Sequence, residues 1–353
     1  MRFFQTGIKP DETVVLFPAV GWREPADGSW QVRVHAWIHE QHERAFRRMV
    51  ALAILGRTLP ELLEHQDLPV FRERLRPFLV PNRRGRQLRI RIAGRELTLP
   101  RSGSNGHVEA VISLSPAEVE QHAVRCGNGF RRMTCEVLLA AEDTRTLEGP
   151  VTLVEPEGLS VISDIDDTLK VTTVRDRAEC LLNTFVRPFQ AVPGMAELLA
   201  RLRGMGAACH FVSSSPWQLS APLRDLFDAQ EISAESIHLR TLRLGELRSR
   251  EAFAGSPTQK HAAICRLLGH FPLRRFLLLG DTGERDPELY GEIQRMYPDR
   301  VRGILLRNLT AETRDTARMA QAMAGVPDRC WQLFTDPSQY QTETLRELFG
   351  PAD

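Results

Sequence analysis

From about residue 158 onward, short apolar runs alternate with amphipathic ones, and this constrains the fold more than any other feature of the sequence. Residues 159–163, 207–212, 236–242, 275–279 and 301–306 read as strands. Residues 195–203, 218–227, 259–268 and 288–296 carry apolar side chains at helical spacing. Strand and helix in turn mean β-α-β units, a parallel sheet covered on both faces, and a ligand site where the strands end. The character changes near Glu155-Pro156-Glu157-Gly158. Before that point, 13–17, 30–37, 87–92, 107–114 and 133–139 read as strands punctuated by Gly, Pro and Asn, with 43–55 and 61–78 as helices between the second and third. The expectation is two domains. Residues 1–157 form a smaller β-rich domain, an antiparallel sandwich or barrel with a helical insertion. Residues 158–353 form an α/β domain, a Rossmann-like parallel sheet.

Composition excludes several function classes. The 353 residues are 42% hydrophobic and 26% charged, with a net charge of +1, so no global basic field favours nucleic acid. Six cysteines (126, 135, 180, 209, 265, 330) are scattered without a C-x-x-C pair, which fits reduced thiols better than a disulfide framework or a zinc site. The opening MRFFQTGIKPDE lacks the apolar stretch of a signal peptide. Apolar runs such as 49–55 fall far short of the ~20 residues of a spanning helix. The expectation is a cytoplasmic protein whose membrane contact, if any, is peripheral. Of 46 basic residues only three are lysine: Lys9, Lys170 and Lys260. Codon bias explains the excess of arginine, but a lysine kept in such a chain offers a compact ammonium that arginine cannot copy.

Chemistry-bearing residues follow the strands. The first ends in Asp164-Ile-Asp166-Asp167-Thr168. Carboxylates so crowded repel one another unless a cation neutralises them, and Mg²⁺ is the usual partner. An Asp-rich turn capping the next helix is the plain alternative. The second strand ends in Ser213-Ser214-Ser215-Pro216-Trp217, whose hydroxyls and amides suit phosphoryl oxygens, or else cap the following helix. Lys260 opens a helix, and the fourth strand ends in Gly280-Asp281-Thr282-Gly283-Glu284-Arg285-Asp286. A parallel sheet can bring these ends to one edge, giving a divalent metal, a nucleophile and a cation around an anion.

In this order and context the motifs resemble those of the haloacid dehalogenase superfamily. Asp164-x-Asp166-x-Thr168 is similar to its first motif, Ser213 to the second, Lys260 to the third, and Gly280-Asp281-x-x-x-x-Asp286 to the acidic fourth. The wording VISDIDDTLK, AVPGM, FVSSSPWQL and LLLGDTGERDPELYGEI resembles, over residues 150–310, the catalytic domain of actin-patch-protein phosphatidate phosphatases and their bacterial relatives, distant cousins of lipins. The resemblance implies an Mg²⁺-dependent phosphatase that forms an aspartyl-phosphate and hydrolyses phosphatidate to diacylglycerol. It implies Asp164 as nucleophile, Asp166 as acid and base, Ser213 as hydrogen-bond donor to a phosphoryl oxygen and Lys260 as counter-charge. Metal would be held by Asp164, the Asp166 carbonyl and Asp281, with Asp286 contributing directly or at one remove. Thr168, Ser214 and Trp217 are candidate substrate-side residues. Thr168 can equally order the loop, and Trp217 can equally anchor a helix start. Asp167 is left as a capping or supporting residue.

Two rival functions remain: a phosphatase of soluble phosphomonoesters, and a non-catalytic phosphatidate-binding module, which the presence of both Asp164 and Asp166 disfavours. Residues 174–189 place Leu181, Leu182, Phe185, Val186 and Phe189 beside Arg175, Arg177 and Arg187. That mixture suits an anionic lipid surface, or a cap helix packed on the core. Three patterns are set aside. His35-x-x-x-His39-x-x-His42 spans a strand and a helix start, and reads as surface histidines. Gly204-Met-Gly206 follows a helix, so it ends that helix rather than binding a dinucleotide. Asn308-Leu-Thr310 is a sequon without an export signal.

Overall fold

The computed structural model describes residues 7–42, 68–126, 129–242 and 257–349, with single positions between 44 and 64. The chain divides into two units, residues 1–52 with 78–156, and 53–77 with 157–353. Residues 53–77, read from the sequence as an insertion in the β-rich half, group with the second unit. Much of the expected helix 43–55 lies outside the described residues, where 48, 49, 51 and 52 are helical. Of 61–78, the described helix is Pro69–Leu79, and 61–63 and 65–67 lie outside.

The first unit holds β1 (Glu12–Leu16), β2 (Ala19–Arg23), β3 (Trp30–Glu40), β4 (Gln87–Ile92), β5 (Arg95–Arg101), β6 (His107–Leu114), β7 (Val124–Arg125), β8 (Arg131–Val137) and β9 (Glu148–Val154). All nine join one sheet, in the order β1-β3-β2-β9-β8-β4-β5, with β6 on β3 and β7 on β8. The β2–β9 pair is parallel, so the sheet is not wholly antiparallel as expected. Alternation decides which side is buried. Val32, Val34, Ala36 and Ile38 of β3 join Leu88, Ile90 and Ile92 of β4 and Val151 and Leu153 of β9 in one core. Because β3 runs to Glu40, His35 and His39 lie on one strand at even spacing, rather than on a strand and a helix start. Nor is His35 a surface residue. It is buried, with Nε2 2.8 Å from Nδ1 of His107.

The second unit holds β10 (Gly158–Ser163), β11 (Ala208–Pro216), β12 (Ser236–Arg240), β13 (Arg274–Asp281), β14 (Val301–Arg307) and β15 (Trp331–Phe334), ordered β12-β11-β10-β13-β14-β15 and parallel throughout. Val161, Ile162, Leu277, Leu278, Leu279, Ile304, Leu305 and Leu306 have no exposed surface, as central strands covered on both faces require. From β10 the chain builds outward to β12, then returns to β13 on the other side. The order therefore reverses beside β10, and the ends of β10, β11 and β13 meet at that switch point. The largest departure from the expected boundaries is β11, which continues through the serine cluster to Pro216. The following helix, Ser220–Ala229, has no side-chain cap, so the serines do not cap it.

Candidate active site

The site is assembled from strand ends. β10 stops at Ser163, where apolar residues give way to carboxylates, and the Asp164 N–H continues the ladder to the Leu279 carbonyl at 2.8 Å. Ile165 is wholly buried, separating Asp164 from Asp166. Asp281 ends β13, and its Oδ1 accepts the N–H groups of Gly283 and Glu284 at 2.6 and 3.1 Å. Asp286 opens the helix Asp286–Met296, where the helix dipole favours an anion. Its Oδ2 accepts the Asp281 N–H at 3.3 Å. A Cβ on Gly280 would collide with that carboxylate and with the Tyr290 ring, so this approach requires glycine.

Lys260, from the helix Pro257–His270, reaches Asp164 Oδ1 at 2.8 Å and also donates to Asp286 Oδ1. Burial disfavours its charge, but Asp164 and Asp286 outweigh burial and hold its pKa well above the ordinary lysine range. Burial pushes the Asp164 carboxyl well up, opposed by Lys260 and reinforced by Asp286. Asp281 is pushed up to about 7 by burial and by Asp286. Carboxylates that resist ionising together are what a divalent cation relieves. The donor set fits one. Oxygens of Asp164, Asp281 and Asp286 lie within 4.8 Å of one another, and Asp164 Oδ2 is buried without a hydrogen-bond partner.

Asp166 is satisfied on every side. Its Oδ2 accepts the Ser213 and Ser215 hydroxyls, each at 2.7 Å. Its Oδ1 lies 2.8 Å from Lys170 Nζ and accepts the Thr172 hydroxyl at 2.8 Å. Burial pushes this carboxyl up, but Lys170 and the hydroxyls overcome that and hold it well below the usual carboxylate range. A recess is lined by Asp166, Thr172, Val174, Cys180, Ser214 and Glu284, among others. Burial, with Asp286 and Asp281, pushes Glu284 up to about 8 against Lys260.

The remaining sequence candidates fall as follows. Thr168 has no exposed surface and donates to Asp281 Oδ2 at 3.3 Å, so it orders the site from behind. Asp167, at φ +57°, accepts the N–H groups of Thr172, Thr173 and Val174, and its carbonyl accepts Arg307 at 2.6 Å. Those bonds stabilise a left-handed turn that aspartate tolerates. Ser214 lines the recess, whereas Trp217 is buried in a short 3-10 turn. The apolar side of Arg177–Phe185 buries Cys180, Leu181 and Phe185, and Arg187 pairs with Glu179. The helix thus packs that side on the core, while Leu182, Val186 and Phe189 are half-buried. Lys170, Thr172 and Glu284 did not emerge as site residues from the sequence, and Ser215 did so only as one of a serine cluster for phosphate or capping. Lys170 was marked by the scarcity of lysine, and Glu284 by its place between two aspartates; Thr172 carried no signal of its own.

Residues 159–308 match the family described as phosphatidate phosphatase APP1, catalytic domain. This segment is similar to the APP1 catalytic domain. The yeast phosphatidate phosphatase APP1 of Saccharomyces cerevisiae is 28% identical over 201 residues, 56% of this chain and 34% of its own. An uncharacterized protein of Schizosaccharomyces pombe is 30% identical over 166 residues, 46% of this chain and 27% of its own. The chain therefore spans about a third or less of these relatives. Among solved structures, a chain of the Pnkp1/Rnl/Hen1 complex is 16% identical over 42% of this chain and 52% of its own, with a TM-score of 0.28, too slight a likeness to speak for the fold. The matched segment contains Asp164, Asp166, Ser213, Lys260, Asp281 and Asp286. Among the described residues no helix is long and apolar enough to cross a membrane.

Proposed function

We propose that this protein is a phosphatidate phosphatase of the haloacid dehalogenase type, using Mg²⁺ and an aspartyl-phosphate to convert phosphatidate to diacylglycerol and phosphate. The observation that carries this reading is the Asp164 carboxylate. It is buried at the end of a central strand beside Asp281 and Asp286, with one oxygen held by Lys260 and the other without a donor. The similarity to the APP1 catalytic domain supports the substrate class.

Asp164 attacks phosphorus in line, and its new O–P bond forms as the ester P–O bond breaks. Asp166 takes a proton from the phosphate monoester monoanion as it binds and passes it to the departing alkoxide. As a carboxylate, Asp166 then takes a proton from the water that hydrolyses the aspartyl-phosphate, which releases phosphate and restores Asp164. Ser213 now donates to Asp166. Turning to a phosphoryl oxygen instead, it removes one of the bonds that keep Asp166 ionised. Lys260 offsets the charge of Asp164 and of the phosphoryl group. Mg²⁺ held by Asp164, Asp281, Asp286 and the Asp166 carbonyl would supply positive charge at the same place. Access to a lipid substrate is peripheral, from the membrane surface.

The test is a phosphate-release screen with Mg²⁺ over phosphatidate in mixed micelles, lysophosphatidate and soluble monoesters, with Asp164→Asn as control. Release from phosphatidate, silenced by EDTA and restored by Mg²⁺, is expected. A strong preference for sugar or nucleotide phosphates replaces the lipid with a soluble substrate. Binding of phosphatidate without any turnover leaves a binding module, and normal turnover by Asp164→Asn removes the nucleophile.

A further inference from the structure

Lys170 is the most enclosed cation of the site, 1% exposed and bound on all sides. Its backbone N–H bonds the Ile165 carbonyl at 2.9 Å, and its carbonyl accepts the Asp167 N–H at 2.7 Å. The side chain therefore returns to the loop from which Asp166 projects. Nζ lies 2.8 Å from Asp166 Oδ1 and donates to Thr172 Oγ1 at 2.6 Å, and that hydroxyl donates to the same Oδ1. Lysine and threonine thus fix one oxygen of Asp166 from two directions, which leaves Oδ2 to the serines. An ammonium is costly to bury and is repaid only by close partners. Here its ion-pair partner is the carboxylate proposed to move the proton.

Lys170 is itself held. Nζ stands 4.6 Å from the centroid of the Phe189 ring, and the Arg74 guanidinium lies over the same ring at 3.6 Å. Arg74 also donates to the carbonyls of Thr184 and Asn183 at 2.7 and 3.5 Å, in the last turn of Arg177–Phe185. Phe71, one turn before Arg74, meets Phe185 with ring centroids 6.3 Å apart. Thr184 and Cys180 of that helix line the recess with Asp166. A segment that precedes β4 in the chain thus buttresses the wall of the recess and the ring on which Lys170 rests.

We propose that Lys170 is a positioning residue that aims Asp166 at the leaving oxygen, and that Phe189 and Arg74 hold Lys170 in place for it. The proposal rests on the phosphatase reading above. Arginine could not substitute, because its planar fork is larger and would displace Thr172 or Phe189.

Leaving groups separate positioning from mere support. p-Nitrophenolate departs without a proton, whereas the alkoxide of phosphatidate needs one. kcat/KM covers only the steps through phosphoryl transfer, so it isolates the leaving-group step. The experiment measures kcat/KM on phosphatidate in mixed micelles and on p-nitrophenyl phosphate for the wild-type protein and for Lys170→Met, Thr172→Val and Arg74→Met. Thermal unfolding of each variant checks the fold. Lys170→Met is expected to lose roughly 10²-fold or more on phosphatidate and under about tenfold on the aryl ester, general-acid contributions being typically 10²–10⁴-fold. Thr172→Val and Arg74→Met lose less, in the same sense. Equal losses on both esters overturn the proposal, as does an unchanged ratio in the two milder variants should Lys170→Met fail to fold. A wild-type protein inert on both esters sinks the phosphatase reading itself.

Discussion

Glu12 in the β-rich unit and Asp164 in the parallel-sheet unit are buried to the same degree, at 0% and 1% exposure, yet they are satisfied differently. Glu12 faces two guanidiniums, with Oε1 2.7 Å from Arg83 Nε and 2.6 Å from Arg86 Nη2, and its Oε2 accepts the Lys9 N–H at 3.0 Å. Asp164 shares a single ammonium with Asp286, and its Oδ2 has no donor. A carboxylate with more cation than it needs contributes to the fold. One left short of partners, beside other carboxylates, stores the electrostatic demand that a metal and a phosphorus centre can meet. Burial alone does not distinguish a structural acid from a reactive one; the balance of partners does.

The sharpest way to break the contrast is to neutralise each acid in turn. Asp164→Asn is expected to lower phosphate release at least about a thousandfold, as removal of a nucleophile does. Its thermal midpoint should hold or rise, because repulsion from Asp286 is relieved. Glu12→Gln should do the reverse, costing about 1–3 kcal/mol by removing the buried charge shared by the half-buried Arg83 and Arg86, with turnover per folded molecule unchanged. Urea unfolding read beside phosphate release checks both. If Asp164→Asn unfolds the protein while Glu12→Gln is harmless, the two residues have been assigned the wrong way round.

A smaller effect tests the unmet demand directly. Mg²⁺ at a hundred times its dissociation constant should stabilise the folded protein by about 2.7 kcal/mol, seen as a higher midpoint. Asp281→Asn should weaken that response, and Glu12→Gln should leave it intact.

A last test belongs to the β-rich sheet. Burial lowers the pKa of His107 to about 4 and, with His107 and Arg33 adding to it, takes His35 well below its ordinary value. Both rings are then neutral when folded, whereas the unfolded chain protonates them below about pH 6.5. Their stabilisation is full above that pH and is lost as the pH falls toward 4. Midpoints measured across this window should drop more steeply for the wild type than for a variant carrying His35→Gln and His107→Gln. Parallel curves would remove the pair from the account.

How far the site was legible varies residue by residue. Asp164, Asp166, Asp281 and Asp286 follow strands whose apolar runs are plain, so position alone exposed them. Lys260 stood out because lysine is rare here. Lys170 shared that rarity, but nothing in its neighbourhood announced a buried ion pair. The serines were noticed as phosphate or capping groups. Only the continuation of β11 to Pro216 aims Ser213 and Ser215 at Asp166. The histidine pattern was misread as spanning a strand and a helix start because β3 runs three residues past Trp37 and takes in His39.

The sequence by itself determined the alternation that makes a parallel sheet, and the carboxylates at the ends of its first and fourth strands, because hydrophobic period and abrupt charge are local properties of a chain. The tertiary structure alone decided which partners those charges received. Asp166 finds Lys170 four residues away but Ser213 47 residues away, and the ring beneath Lys170 carries Arg74 from a segment far upstream. Electrostatic environment is set by distance in space and by exclusion of water, and neither is written in the order of the residues.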